Sequence, residues 1–148
     1  QQIAFNVIPH IDEFEENGYT REEMKLVLET QKLFNDYSLQ VNATAVRVPV
    51  FYGHSESLQV DLSREAHLDE IKELFESTIG LSLLEDEYPM PAVHASQQDE
   101  VFVGRLRKDI FKSNTISLWV VSDNVRKGAA LNAIQIAELL VNRDRVLH

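Results

Sequence analysis

Val101-Phe102-Val103-Gly104-Arg105-Leu106-Arg107-Lys108 and Thr115-Ile116-Ser117-Leu118-Trp119-Val120-Val121-Ser122 are two runs rich in β-branched and aromatic residues, joined by a polar loop that contains Lys112-Ser113-Asn114. Such residues fit a pleated, half-buried surface, and a short polar connection joins antiparallel neighbours. The pair therefore predicts an antiparallel hairpin, beside or against which the rest of the chain packs. Upstream, Ser57 to Leu62 alternates polar and apolar as a half-buried strand does, and Leu81 to Leu84 reads as a short strand. Between them, Ser63 or Asp61 can cap a helix from Arg64 to Ser77, with Leu68, Ile71, Leu74 and Phe75 on its inner face and Gly80 beyond its end. Downstream, Ser122 or Asp123 can cap a long helix to about Arg143, with Val125, Ala129, Ala133, Ile136 and Leu140 on one side.

Nearer the start, Ile3 to Ile8 reads as a short strand stopped by Pro9, and Asn17-Gly18 marks a turn. Thr20 with Glu23 three residues later is a capping-box signature, and Met24, Val27, Leu28 and Phe34 continue at helical spacing to about Asn35. Val41 to Val50, rich in Val and Ala, reads as another strand. Helices that punctuate strands which need not be parallel define an α+β fold: a mixed or largely antiparallel sheet with helices packed mainly on one face.

The totals bound the function. With 148 residues, 44% of them hydrophobic and 26% charged, the chain has the size and composition of one soluble globular domain. A formal net charge of -10 repels nucleic acid and anionic lipid, and no apolar run reaches the ~20 residues of a membrane-spanning helix. Neither nucleic acid nor membrane is expected as a partner, and the cytoplasm is the expected location. The sequence holds no cysteine, which excludes disulfides, thiolate metal sites and a cysteine nucleophile within this chain. It opens at Gln1, without methionine, directly on the apolar Ile3-Ala4-Phe5 run, and the expectation is a piece of a longer protein.

The chemistry-bearing stretch is Arg47-Val48-Pro49-Val50-Phe51-Tyr52-Gly53-His54. Arg grips a carboxylate through two parallel hydrogen bonds, and His is the side chain suited to proton transfer near neutral pH. On a straight strand, residues seven apart lie on opposite faces and roughly 23 Å from one another, so a shared role requires a bend at Pro49 or Gly53. A buried strand, with Arg47 extended to solvent at one end and His54 bonded in a turn at the other, is the alternative. Glu23 and Lys25 lie in the opening turn of the first helix, where anions are favoured, although Glu23 can simply close the capping box. Arg126-Lys127 has the wrong sign for the start of a helix unless something negative is nearby, and Gly128-Ala129-Ala130 permits close approach of a backbone or a flat ligand. Arg105 and Arg107 are expected on one wet strand face. His10, His67, His94 and His148 have no partner at ligand spacing, so no metal site is argued, and no G-x-S-x-G elbow supports a serine nucleophile.

Several motifs occur together and in order: Ile3 to Pro9; Gly18-Tyr19-Thr20-Arg21-Glu22-Glu23-Met24-Lys25 with Glu29-Thr30; Arg47-Val48-Pro49-Val50 leading to Gly53-His54; Val103 to Lys108; and Asp123 to Ala133. In these the sequence resembles the aspartate-semialdehyde dehydrogenases, over the later half of their C-terminal catalytic and dimerisation domain. The resemblance implies a fold like the C-terminal domain of glyceraldehyde-3-phosphate-dehydrogenase-like enzymes. It also implies NADPH-dependent reduction of β-aspartyl phosphate to aspartate semialdehyde through a cysteine thioester, in the biosynthesis of lysine, threonine and methionine. It makes His54 the acid/base, Arg47 the clamp on the substrate carboxylate, Glu23 the partner of the substrate amino group and Lys25 a phosphate contact. Asn132 would lie near the nicotinamide. NADP would be held mainly by an N-terminal domain outside residues 1–148, which lack both the cysteine and the glycine-rich dinucleotide loop. A homodimer is expected, and the rival is a non-catalytic paralogue domain kept for dimerisation or binding.

Overall fold

The computed structural model describes residues 1–65 and 67–146; His148 lies outside them. The chain divides into two compact units, Gln1–Pro49 and Val50–His148.

The first unit is built on helix α1, Arg21–Phe34. Its start is the expected capping box: Thr20 accepts from the Glu23 N–H while the Glu23 carboxylate accepts from the Thr20 N–H, satisfying two of the donors that a helix N-terminus leaves orphaned. At the other end Asn35 takes a left-handed conformation, φ 51°, and closes the last turn on Gln31 and Lys32. The Asn17-Gly18 turn forms as expected: Gly18 has φ +83° and Asn17 Oδ1 accepts from the Tyr19 N–H. The two strands expected here do not form. Residues 3–8 and 41–50 contribute one isolated antiparallel bridge, Ile8 to Arg47, with N···O distances of 3.0 and 2.8 Å. Residues 40–46 are otherwise irregular, because valine-rich composition makes a strand only where a neighbouring backbone supplies a ladder. Leu28 and Phe34, which recur at helical spacing along α1, are exposed.

The second unit is a four-stranded sheet. Strand β1 is His54–Asp61, β2 Leu81–Leu84, β3 Val101–Lys108 and β4 Thr115–Ser122, in the spatial order β1-β4-β3-β2. The hairpin of β3 and β4 is antiparallel, β1 pairs antiparallel with β4, and β2 pairs parallel with β3, which makes the sheet mixed and the unit α+β. Alternation along β4 places Ile116, Leu118 and Val120 on one face. With Val103, Leu106, Leu81 and Leu83 they meet Leu68, Ile71 and Phe75 of helix α2, Leu68–Ser77. Leu74, expected among these, is exposed. Helix α2 also starts later than expected: Asp61 is engaged by Thr115 Oγ1 and Lys112 Nζ, and the cap position is held by His67, whose side chain makes no capping hydrogen bond.

On the opposite face Val121 is fully buried and Trp119 donates its indole N–H to the Pro89 carbonyl at 2.9 Å, beneath the segment that leads into a π-helical turn at Pro91–Ala95. Gly104 is required here. A Cβ at this position would lie 2.4 Å from Pro89 Cδ, inside a ring that cannot swing away. Gly104→Ala should therefore lower stability by about 1–3 kcal/mol, seen as a depressed thermal midpoint. Immediately after Gly104 the register with β4 slips by one residue, and Arg105 takes φ 54°. Arg105 and Arg107 are both exposed, as expected of a wet strand face, and Arg107 Nη1 donates to the Arg105 carbonyl.

The chain leaves β4 through a π-helical turn at Arg126–Ala130 into α3, Leu131–Val146. Asp123 closes the turn that leads in, accepting from the Val125 and Arg126 N–H groups and also from Gln97 N–H at 2.8 Å. The side of α3 that carries Ile136 and Leu140 is exposed. Among the described residues no helix is long and apolar enough to cross a membrane.

Candidate active site

In the first unit the site residues sit on one local frame. Glu23, only 6% exposed, gives one carboxylate oxygen to Thr20 N–H and the other to Ala45 N–H, both at 2.8 Å. These two backbone donors, Thr20 first, hold its carboxyl below the ordinary glutamate range against the opposing cost of burial. Glu23 is thus a charged group inside this unit, doing more than its capping role requires. Arg47 follows Ala45 by two residues and is fixed through its own N–H and C=O on Ile8. Its guanidinium is exposed and, among the described residues, makes no hydrogen bond or ion pair. Lys25 is half-exposed, 3.1 Å from Glu22 and 3.9 Å from Asp12, and Glu22 is the main cause of its raised pKa. A phosphate at Lys25 would have to share it with these carboxylates.

In the second unit the chain bends at Phe51 and Tyr52 and Gly53 takes φ +80°, so the run from Arg47 to His54 is no continuous strand. A Cβ on Gly53 would lie 2.8 Å from Pro91 Cβ and 3.2 Å from the Ser122 carbonyl, so the turn needs both glycine's conformational freedom and its lack of a side chain. His54 then opens β1 in register with Ser122, which fixes its backbone at the end of the sheet. Its Nε2 lies 3.2 Å from Glu56 Oε1, two residues on along the same strand face. The hydrogen bond from His54 holds the Glu56 carboxyl below its usual range, and the carboxylate in turn orients the ring. Glu56 was not singled out in the sequence, although the His-x-Glu spacing on a strand was the signal that could have found it.

Asn132 is exposed in the first turn of α3, beyond the small residues Gly128 to Ala130. The negative partner that Arg126 needs is internal: Asp99 pairs with its guanidinium and Asp123 accepts from its N–H, so the helix start demands no ligand. A cleft of about 280 Å³, lined by Tyr88, Pro89, Met90, Pro91, Arg105 and Trp119, contains none of the expected site residues. No group of three or more His, Asp or Glu among the described residues could hold a metal ion.

In the first unit, two cations on one frame suit a carboxylate or a phosphate; in the second, an imidazole beside a carboxylate suits proton transfer. The aspartate-semialdehyde dehydrogenase of Shewanella violacea is 55% identical over 143 residues, 95% of this chain and 42% of the relative. That of Aquifex aeolicus is 52% identical over 149 residues, 98% of this chain and 44% of the relative. The chain therefore spans less than half the length of the relatives it matches. Among solved structures, aspartate semialdehyde dehydrogenase II from Vibrio cholerae, complexed with ASA, superposes with a TM-score of 0.93 at 55% identity, covering 96% of this chain and 43% of that one. The Candida albicans enzyme solved with NADP shares the fold, with a TM-score of 0.76 at 24% identity over 93% of this chain and 45% of that one. The family model for the semialdehyde dehydrogenase dimerisation domain matches residues 1–127, and the chain belongs to that family.

Proposed function

We propose that this chain is the substrate-side part of a homodimeric, cytoplasmic enzyme that reduces β-aspartyl phosphate to aspartate semialdehyde with NADPH, releasing phosphate, on the route to lysine, threonine and methionine. The observation that carries the reading is the presence of both Arg47 and His54 on defined local frames in a chain 55% identical to named aspartate-semialdehyde dehydrogenases. Arg47 grips the substrate carboxylate with its planar fork, and Lys25 meets the phosphate, exchanging Glu22 for it. Glu23 is the charged partner of the substrate amino group. His54, oriented by Glu56, moves the proton to and from the thiol of a cysteine that lies outside this chain. When bound, NADPH supplies the hydride. The exposed carboxamide of Asn132, able both to donate and to accept, fits the amide of a nicotinamide.

Assay of the intact protein tests the proposal in the reverse direction, as NADP reduction by aspartate semialdehyde. The expected result is reduction that requires inorganic phosphate. A well-folded protein with no phosphate-dependent reduction would sink it.

A further inference from the structure

The carboxylate of Glu23 does more in this fold than cap a helix. A capping box needs one carboxylate oxygen, which Thr20 N–H receives; the second reaches across to Ala45 N–H at 2.8 Å. The receiving segment needs such a tether. Residues 40–46 have no regular secondary structure, and the contacts holding residues 39–45 to the helix side are few: Gln31 Nε2 to the Leu39 carbonyl, Tyr19 OH to Asn42 Oδ1, and Glu23 to Ala45. Of these only the Glu23 bond comes from a buried, ionised side chain, and it lands two residues before Arg47. On the far side Arg47 is held by Ile8 through both of its backbone groups. The main chain bearing the guanidinium is therefore pinned at 45 and at 47, once to the start of α1 and once to the N-terminal segment.

We propose that Glu23 is a positioning residue for Arg47, acting through the main chain of residues 45–47. The inference rests on the reading of Arg47 as the carboxylate clamp and adds a second duty to the one proposed for Glu23 at the amino group. The mechanism is geometric. A guanidinium that binds a carboxylate by two parallel bonds tolerates little displacement, and an error of about 1 Å at a positioning group can cost up to about 10²-fold.

The two duties of Glu23 separate by substrate. In the intact enzyme, Glu23→Gln keeps the size of the side chain but places an NH2 donor against one of two backbone donors. We expect it to raise the inhibition constant of succinate semialdehyde, which lacks the amino group and so reports the tether alone, by roughly tenfold to 10²-fold, and the KM for aspartate semialdehyde by at least as much. For succinate semialdehyde, Arg47→Ala should absorb most of that effect, so that Glu23→Gln adds little in its background. A loss confined to the aminated compound, or full additivity with Arg47→Ala, would overturn the proposal in favour of a contact with the amine alone.

Amide hydrogen exchange provides a readout independent of activity. Ala45 N–H should be protected in the wild-type protein and lose that protection in Glu23→Gln while the interior of α1 keeps its own. An unprotected wild-type Ala45 overturns the tether, including in the case where Glu23→Gln fails to fold. If the wild-type protein neither turns over aspartate semialdehyde nor is inhibited by succinate semialdehyde while Ala45 remains protected, the functional reading of Arg47 has failed and the tether stands.

Discussion

His54→Gln should lower kcat of the intact enzyme by about 10²–10⁴-fold, the range in which a positioned general acid/base contributes. Glutamine is the informative replacement because it keeps a donor near the Nε2 position, so the bond to Glu56 at 3.2 Å can persist while the titrating group is gone. Because His54 holds its place through strand pairing with Ser122, the substitution should leave the thermal midpoint nearly unchanged. The pH dependence is a second signature: the limb of the kcat profile that reports the imidazole should disappear. Glu56→Gln should have a smaller effect of the same kind, because it removes the charge that orients the ring without removing the ring. Folding stability responds in the opposite region of pH. The folded-state pKa of Glu56 lies below its unfolded value, so its contribution is complete above the ordinary glutamate range and is lost as pH falls through the folded value. Retention of near-normal kcat in His54→Gln would remove His54 from proton transfer.

Arg47→Lys should cut kcat/KM by about 10²-fold or more, the cost of roughly 3 kcal/mol expected when a bidentate, charge-assisted contact is replaced by a point charge. The structure makes this a clean experiment. Among the described residues the guanidinium takes part in no internal ion pair, and the backbone groups of Arg47 bond Ile8 whatever the side chain. Folding should be unaffected, and in Arg47→Ala added guanidinium ion should restore part of the lost activity. Uniform loss of activity with no change in substrate KM, and no rescue, would remove Arg47 from substrate binding.

Much of the frame behind these expectations was legible as local chemistry. Thr20 with Glu23, Asn17-Gly18 and the β3–β4 hairpin all formed as read, because a cap, a turn or a hairpin needs only residues a few positions apart. The readings that failed needed a distant neighbour. Residues 3–8 and 41–50 have strand composition but share only one bridge, and Asp61 could not cap α2 because Thr115 and Lys112 hold it.

The candidate site divides in the same way. Residue types and spacing made Arg47, His54, Glu23 and Lys25 candidates and no more; their expected roles came from the resemblance to a family, which contiguous motifs carry. Their surroundings were not readable. That Glu23 is buried and ties down Ala45, that His54 is oriented by Glu56, and that Arg126 is answered by Asp99 rather than by a ligand all depend on which backbone and carboxylate groups the folded chain brings within 3 Å or so of them. Hydrogen bonds and ion pairs decay over such distances, so a site's electrostatics is settled only when segments 22 or 27 residues apart meet, as Glu23 meets Ala45 and Asp99 meets Arg126.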